Sequence, residues 1–179
     1  MREKLTLIVP IALAVVVIDH LSKWWVDTTL AIGDAIAVCP QFFDIVHVRN
    51  FGAAFGFLAD ASDGFRVPFF YVTTIAALLF LIYYVANTPS TAKGTLTSLG
   101  LIFGGAVGNI ADRIARGSVV DFLHLHWRDA IWTPTLFGST YVIPLSWPSF
   151  NVADMAISVG VVLLLIFSIC TCKPSTAAK

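Results

Sequence analysis

Acidic side chains set in apolar sequence carry the chemistry open to this chain. Asp121 follows Gly117-Ser-Val-Val, and Asp154 closes Phe150-Asn-Val-Ala-Asp154, with no cation immediately beside either. Two carboxylates brought close cannot both ionise, so one pKa rises and the pair shares a proton. The ionised member can then take a proton from water while the protonated one hydrogen-bonds a scissile carbonyl. Spacing alone leaves two other readings open. Asp154, or Asn151 before it, suits a helix N-cap, and acid pairs in membrane proteins also serve proton and ion pathways.

Other polar residues accompany these two. Asn109, Asp112 and Arg113 sit at i, i+3 and i+4 and so project to one side of a helix. Gly100, Gly104 and Gly108 recur every fourth residue on the same run, which lets a neighbouring backbone approach closely. Asp19 and Lys23 are four apart with the acid first, the favourable order for a helical ion pair. That pair either fixes helix packing or contacts substrate. Arg113 either orients a carboxylate or a substrate carbonyl, or neutralises Asp112. No serine lies in a G-x-S-x-G setting. His124 and His126 could share one face of a strand and bind a metal, but zinc wants three or four protein ligands and no third is evident. Hence neither metal nor cofactor is expected. His20 and His47 read as packing or interface residues. Cys39, Cys170 and Cys172 lack metal-ligand spacing and read as unpaired.

The elements that must position these groups are membrane spans. The chain has 179 residues, 58% of them hydrophobic and 12% charged, with a mean hydropathy of +0.84. Soluble domains carry roughly 25% charged residues. A net charge of zero gives no reason to expect a nucleic-acid partner. Four apolar segments approach the roughly 20 residues needed to cross a hydrocarbon core: about 5–26, 67–86, 94–111 and 155–172. The expected fold is an all-α membrane protein, one domain over 1–179. Its outer segments, about 27–66 and 114–150, form a small extracytoplasmic β-sheet cradle and cap. The first apolar run continues into Asp19, His20 and Lys23, a poor context for signal-peptide cleavage, so it is expected to remain as a span.

Arg2, Lys4, Lys93, Lys173 and Lys179 fall on one side of a four-span arrangement, which the positive-inside rule makes cytoplasmic. All five tryptophans then lie on the outer side, as an aromatic belt requires. Both termini are expected in the cytoplasm, with the polar residues gathered near the outer surface. Residues 42–49 and 123–127 read as strands. Pro134, Pro144 and Pro148 break the tract from Trp127 to Pro148 into loop, a candidate lid. A transporter or channel using the acids as a proton relay is the main rival reading, and a non-catalytic assembly subunit the second.

Taken together, five blocks resemble the bacterial lipoprotein signal peptidases, the type II signal peptidases: Asp19-His-Leu-Ser-Lys23, Asn50-Phe-Gly-Ala-Ala-Phe-Gly56, Gly104-Gly-Ala-Val-Gly-Asn-Ile-Ala-Asp-Arg113, Gly117-Ser-Val-Val-Asp-Phe122 and Phe150-Asn-Val-Ala-Asp154. The resemblance implies an inner-membrane aspartyl endopeptidase that cleaves prolipoproteins on the amino side of a diacylglyceryl-modified cysteine. It implies catalytic roles for Asp121 and Asp154. Asp19, Lys23, Asn50, Gly52, Ala54, Gly108, Asn109, Asp112, Arg113 and Asn151 would bind substrate or support the site. It further implies four spans with a periplasmic β-cradle and a small periplasmic helix, contact with membrane lipids, inhibition by the cyclic peptide globomycin, and action as a monomer. On this reading the glycine stripe leaves room between helices for an extended peptide and lipid.

Overall fold

The computed structural model describes residues 1–52 and 61–171. Ala54 therefore lies outside the described residues, as does Cys172. The long apolar runs form α1 (Arg2–Thr29), α2 (Asp63–Asn87), α3 (Lys93–Arg116) and α4 (Val152–Thr171). All four are long and apolar enough to cross a membrane. α1, α2 and α4 begin three or four residues before the expected spans and α3 one residue before, because helix continues through polar residues at the membrane edge. α3 is the least apolar, at a mean hydropathy of 1.3 against 2.1 to 2.5 for the others, and the most buried. A helix that faces its neighbours rather than lipid can carry polar residues, and α3 carries Asn109 and Asp112 fully inside.

Glycine sets how closely α3 is approached. A Cβ at Gly104 would stand 2.8 Å from the Ala12 carbonyl oxygen of α1, and one at Gly100 would press on Ile11. Gly105 meets the Ala153 carbonyl of α4, and Gly108 lies between Asp19 and Ala153. The stripe is filled by backbone and side-chain atoms of α1 and α4, which corrects the expectation that it leaves room for a peptide. At the other end, Lys4 Nζ of α1 donates to the carbonyls of Val85 (3.0 Å) and Ala86 (2.8 Å) at the end of α2. The start of α3 meets the end of α4 through Gly94 and Phe167. The helices thus alternate in direction, and the polar residues of α1, α3 and α4 collect at the opposite end.

That end carries the sheet. β1 (Ala35–Cys39), β2 (Phe43–Asn50), β3 (Val119–Trp132) and β6 (Ile143–Ser146) pair antiparallel in the order β1-β2-β3-β6. β4 (Thr135–Leu136) and β5 (Ser139–Thr140) form a separate hairpin. The tract expected as loop is therefore largely strand. Its prolines did not prevent pairing: Pro144 sits opposite Ile131 in β6, an edge strand, where a missing N–H can be tolerated. Among the described residues, the segments outside the four long helices contain no helix. The sheet rests on the helices through Val26, Val120 and Phe122, with Leu30, Ile45 and Val152 packed against them. Cys39 is free and exposed.

Candidate active site

Two local devices and one long-range bridge bring Asp121 and Asp154 to one place. Gly117 ends α3 in a left-handed conformation (φ +72°), its N–H bonded to Arg113 O. This is a glycine C-cap that lets the chain turn at once into β3. At the start of α4, Asn151 Oδ1 accepts from Asp154 N (3.0 Å) while Asp154 Oδ2 accepts from Asn151 N (3.2 Å). This reciprocal arrangement is a capping box. Asn151 is thus the N-cap and Asp154 its partner one turn on. Finally, Phe150 N donates to Leu123 O (3.0 Å), and Leu123 N donates to Phe150 O (2.8 Å). That bridge lays Asn151 beside Asp121.

Neutral amides hold both acids. Asp121 accepts from Asn50 Nδ2 (2.8 Å) at one oxygen and from Asn151 Nδ2 (2.7 Å) at the other. Asp154 Oδ1 accepts from Asn109 Nδ2 (2.8 Å). Asn151 therefore bonds to both carboxylates, through its side chain and its backbone. Asp121 is 2% exposed, and burial is the main cause that pushes its pKa up to about 6. The negative charge of Asp154 pushes the same way, against the Asn50 and Asn151 hydrogen bonds. Both acids line a cleft of about 820 Å³ that also touches Asn50, Gly52, Asn109 and Arg113. The apolar face of α4 borders it through Met155 and Val159, and Trp147 to Phe150 form a further wall.

A second polar centre adjoins this one. Lys23 Nζ, fully buried, contacts Asp19 Oδ2 (2.7 Å), Asp112 Oδ2 (3.0 Å) and Asn109 Oδ1 (3.1 Å). Asp19 Oδ1 accepts from Ala153 N (2.9 Å) and so binds α1 to α4. Asp112 Oδ2 also accepts from Val120 N (3.3 Å), the residue before Asp121. Asp112 is paired with Lys23 and Arg116. Arg113 donates to Gly52 O (3.2 Å), lies over the Phe70 ring, and feels the charges of Asp154 and Asp121 ahead of that of Asp112. Gly108 supplies the space into which Asp19 fits.

Asp27, Arg49 and Arg116 were missed by sequence reasoning. Asp27, near the end of α1, pairs with Arg49 of β2 and with Arg116 of α3, and His47 Nε2 lies 3.5 Å away. These residues come from separate stretches with no shared pattern. The i,i+4 spacing of Asp112 and Arg116 was the one available signal. His124 and His126, weighed and set aside as metal ligands, stack on each other, and His126 lies 3.1 Å from Asp44. Among the described residues no group of three or more His, Cys, Asp or Glu could hold a metal.

Four membrane-spanning helices capped by a small sheet, with two acids in a cleft where the two meet, define a multi-pass membrane enzyme. The chain belongs to the signal peptidase II family: the family's sequence profile, described as Signal peptidase (SPase) II, matches residues 11–170. It is 43% identical over 157 residues to the "Lipoprotein signal peptidase" of Syntrophotalea carbinolica, covering 87% of this chain and 86% of that one. It is 37% identical over 167 residues to the protein of the same name from Symbiobacterium thermophilum, covering 93% and 97%. A solved bacterial membrane enzyme, determined in meso at 2.3 Å, superposes with a TM-score of 0.76 at 30% identity, covering 96% of this chain and 93% of that one. The family makes this protein a protease and a multi-pass bacterial inner-membrane protein.

Proposed function

We propose that the chain is an aspartyl endopeptidase that removes the signal peptide from prolipoproteins, cutting on the amino side of a diacylglyceryl-modified cysteine. The carrying observation is that Asn151 hydrogen-bonds both Asp121 and Asp154 at the wall of one cleft. Burial makes Asp121 the member that holds the shared proton, and Asp154, half-buried, is the base. Asp154 takes a proton from water as the water oxygen attacks the scissile carbonyl carbon, while Asp121 donates its proton to the carbonyl oxygen. Asp121 then recovers a proton from the gem-diol as the C–N bond breaks, and Asp154 gives its own to the departing amine. The pair ends as it began. Asn50, Asn109 and Asn151 hold the carboxylates without neutralising them.

The apolar α4 side of the cleft suits the substrate's lipid chains. The cleft opens where the helices meet the sheet, so the scissile bond would lie at the membrane surface. With both termini cytoplasmic, that surface is periplasmic. Asp19, Lys23 and Asp112 support the site from behind, and Gly52 and Arg113 border the substrate path. On this reading the chain works as a monomer and is blocked by globomycin.

The test is cleavage of a diacylglyceryl-modified prolipoprotein by wild type, Asp121→Asn and Asp154→Asn. Loss of cleavage in both, at melting temperatures close to wild type, is the expected result. A near-normal rate in either variant overturns the two-aspartate mechanism. The transporter reading instead predicts acids distributed through the membrane depth, whereas these gather at one end.

A further inference from the structure

Leu123 and Phe150 are already bridged, so the chain between them is an excursion that returns to its starting point beside α4. The excursion bends at Arg128, whose φ is +48°, where the β3–β6 register also slips between His126 and Ile131. An irregularity of this kind turns a strand and raises its twist. Beyond the bend, from Ala130 to Phe150, the sequence holds no Asp, Glu, Lys or Arg. Yet this tract lies outside all four candidate membrane spans. Trp132, Phe137, Tyr141, Val142 and Ile143 are exposed along it, Phe137 at 104%. Facing water, such an arm would present an apolar patch of the kind that marks an interaction site.

We propose that this arm, β3 beyond Arg128 with β4, β5 and β6, is a membrane-interface anchor. It lies in the headgroup layer of the leaflet next to the N-terminus of α4. Continuity argues for lipid as the occupant. β6 runs through Trp147 to Asn151, the cap of α4, and the exposed α4 residues Met155 and Val159 continue the apolar surface into the bilayer. Tryptophan and tyrosine prefer this layer because each joins an apolar ring to a polar group. The depth is limited from the other side. β6 is a sheet edge, and open edges do not enter hydrocarbon. Because Trp147 to Phe150 wall the cleft, the anchor fixes the height of that wall against the lipid surface. The proposal does not depend on the aspartyl mechanism.

The test uses the full chain in phospholipid nanodiscs with Trp132 as its sole tryptophan, the other four replaced by Phe. Quenching of Trp132 fluorescence is compared for lipids brominated at successive acyl positions. The expected result is several-fold stronger quenching by bromines nearest the headgroup than by those at the chain ends. No quenching by any brominated lipid overturns the proposal. In that case acrylamide access would mean an arm in water, and acrylamide protection an arm covered by protein. Should the fourfold variant fail to fold, 5-fluorotryptophan in the wild-type chain with a spin-labelled lipid gives the same readout, with Trp132→Phe assigning the resonance.

Discussion

The Lys23 centre and the Asp121–Asp154 centre adjoin through Asn109, whose Oδ1 faces Lys23 and whose Nδ2 faces Asp154. They are held by opposite means. In the first, Asp19, Lys23 and Asp112 are all 0% exposed and each charge meets an opposite one. In the second, two acids of like charge are held by asparagine amides and open onto a cleft. A charge matched by its opposite ties helices together. An acid whose direct hydrogen-bond partners are amides, as at Asp121, is held in place without a cation bonded to it. Under the proposed mechanism the contrast would separate scaffold from catalyst among residues that look alike in sequence.

The sharpest way to break this contrast is to neutralise one member of each centre. Asp121→Asn and Asp154→Asn should each lower kcat/KM by about 10³-fold or more, within the range general acid–base groups supply, with the fold retained. Lys23→Met should do the reverse, costing roughly 3–5 kcal/mol of stability because it leaves the buried Asp19 without a cation, Asp112 keeping Arg116. Thermal unfolding in detergent checks it. A stable but inactive Lys23→Met would move that lysine into the catalytic centre.

Titration sharpens the same comparison. Asp121 binds its proton more tightly when folded, at about 6, than when unfolded, at about 3.9. Its contribution to stability is therefore full below about pH 4 and is lost as pH rises through about 6. A difference of this size is worth roughly 3 kcal/mol. Wild type should lose melting temperature between pH 5 and 7.5, and Asp121→Asn should lose less. On the proposed mechanism Asp121 holds the proton, and kcat/KM should then fall on the alkaline side with a midpoint near 6. Asn50→Ala removes a donor that favours the charged form. It should shift that limb to higher pH and reduce the rate about tenfold, on the scale of one charge-assisted hydrogen bond. The smallest effect is expected from Asp27→Asn, whose pairs with Arg49 and Arg116 are partly solvated. About 1 kcal/mol of stability and little activity should be lost.

The spans were legible because membrane crossing demands long apolar runs, and the acids because each stands in a recognisable block. What joins them was not. That Asn151 would bond both acids depends on the Leu123–Phe150 bridge, a long-range pairing with no local signature. Asp27 looked like one more acid at a helix end, since its partners come from β2 and α3. The strands between Trp127 and Pro148 are hidden in the sequence because proline breaks interior strands and no local pattern marks β6 as an edge.

The crowding along α3 has a genetic consequence. Every missense change at Gly104 or Gly105 adds a Cβ, and at both sites that atom meets the main chain of a neighbouring helix rather than a side chain able to rotate away. At Gly108 it meets the Asp19 carboxylate, which is held by Lys23 and Ala153 N. In a saturation library selected for signal-peptide removal, these glycines should be depleted as deeply as Asp121 and Asp154, although none of them lines the cleft. A map of intolerant positions would therefore draw the seams between the helices and the reaction centre in the same ink. Only a stability measurement on each variant would separate the two.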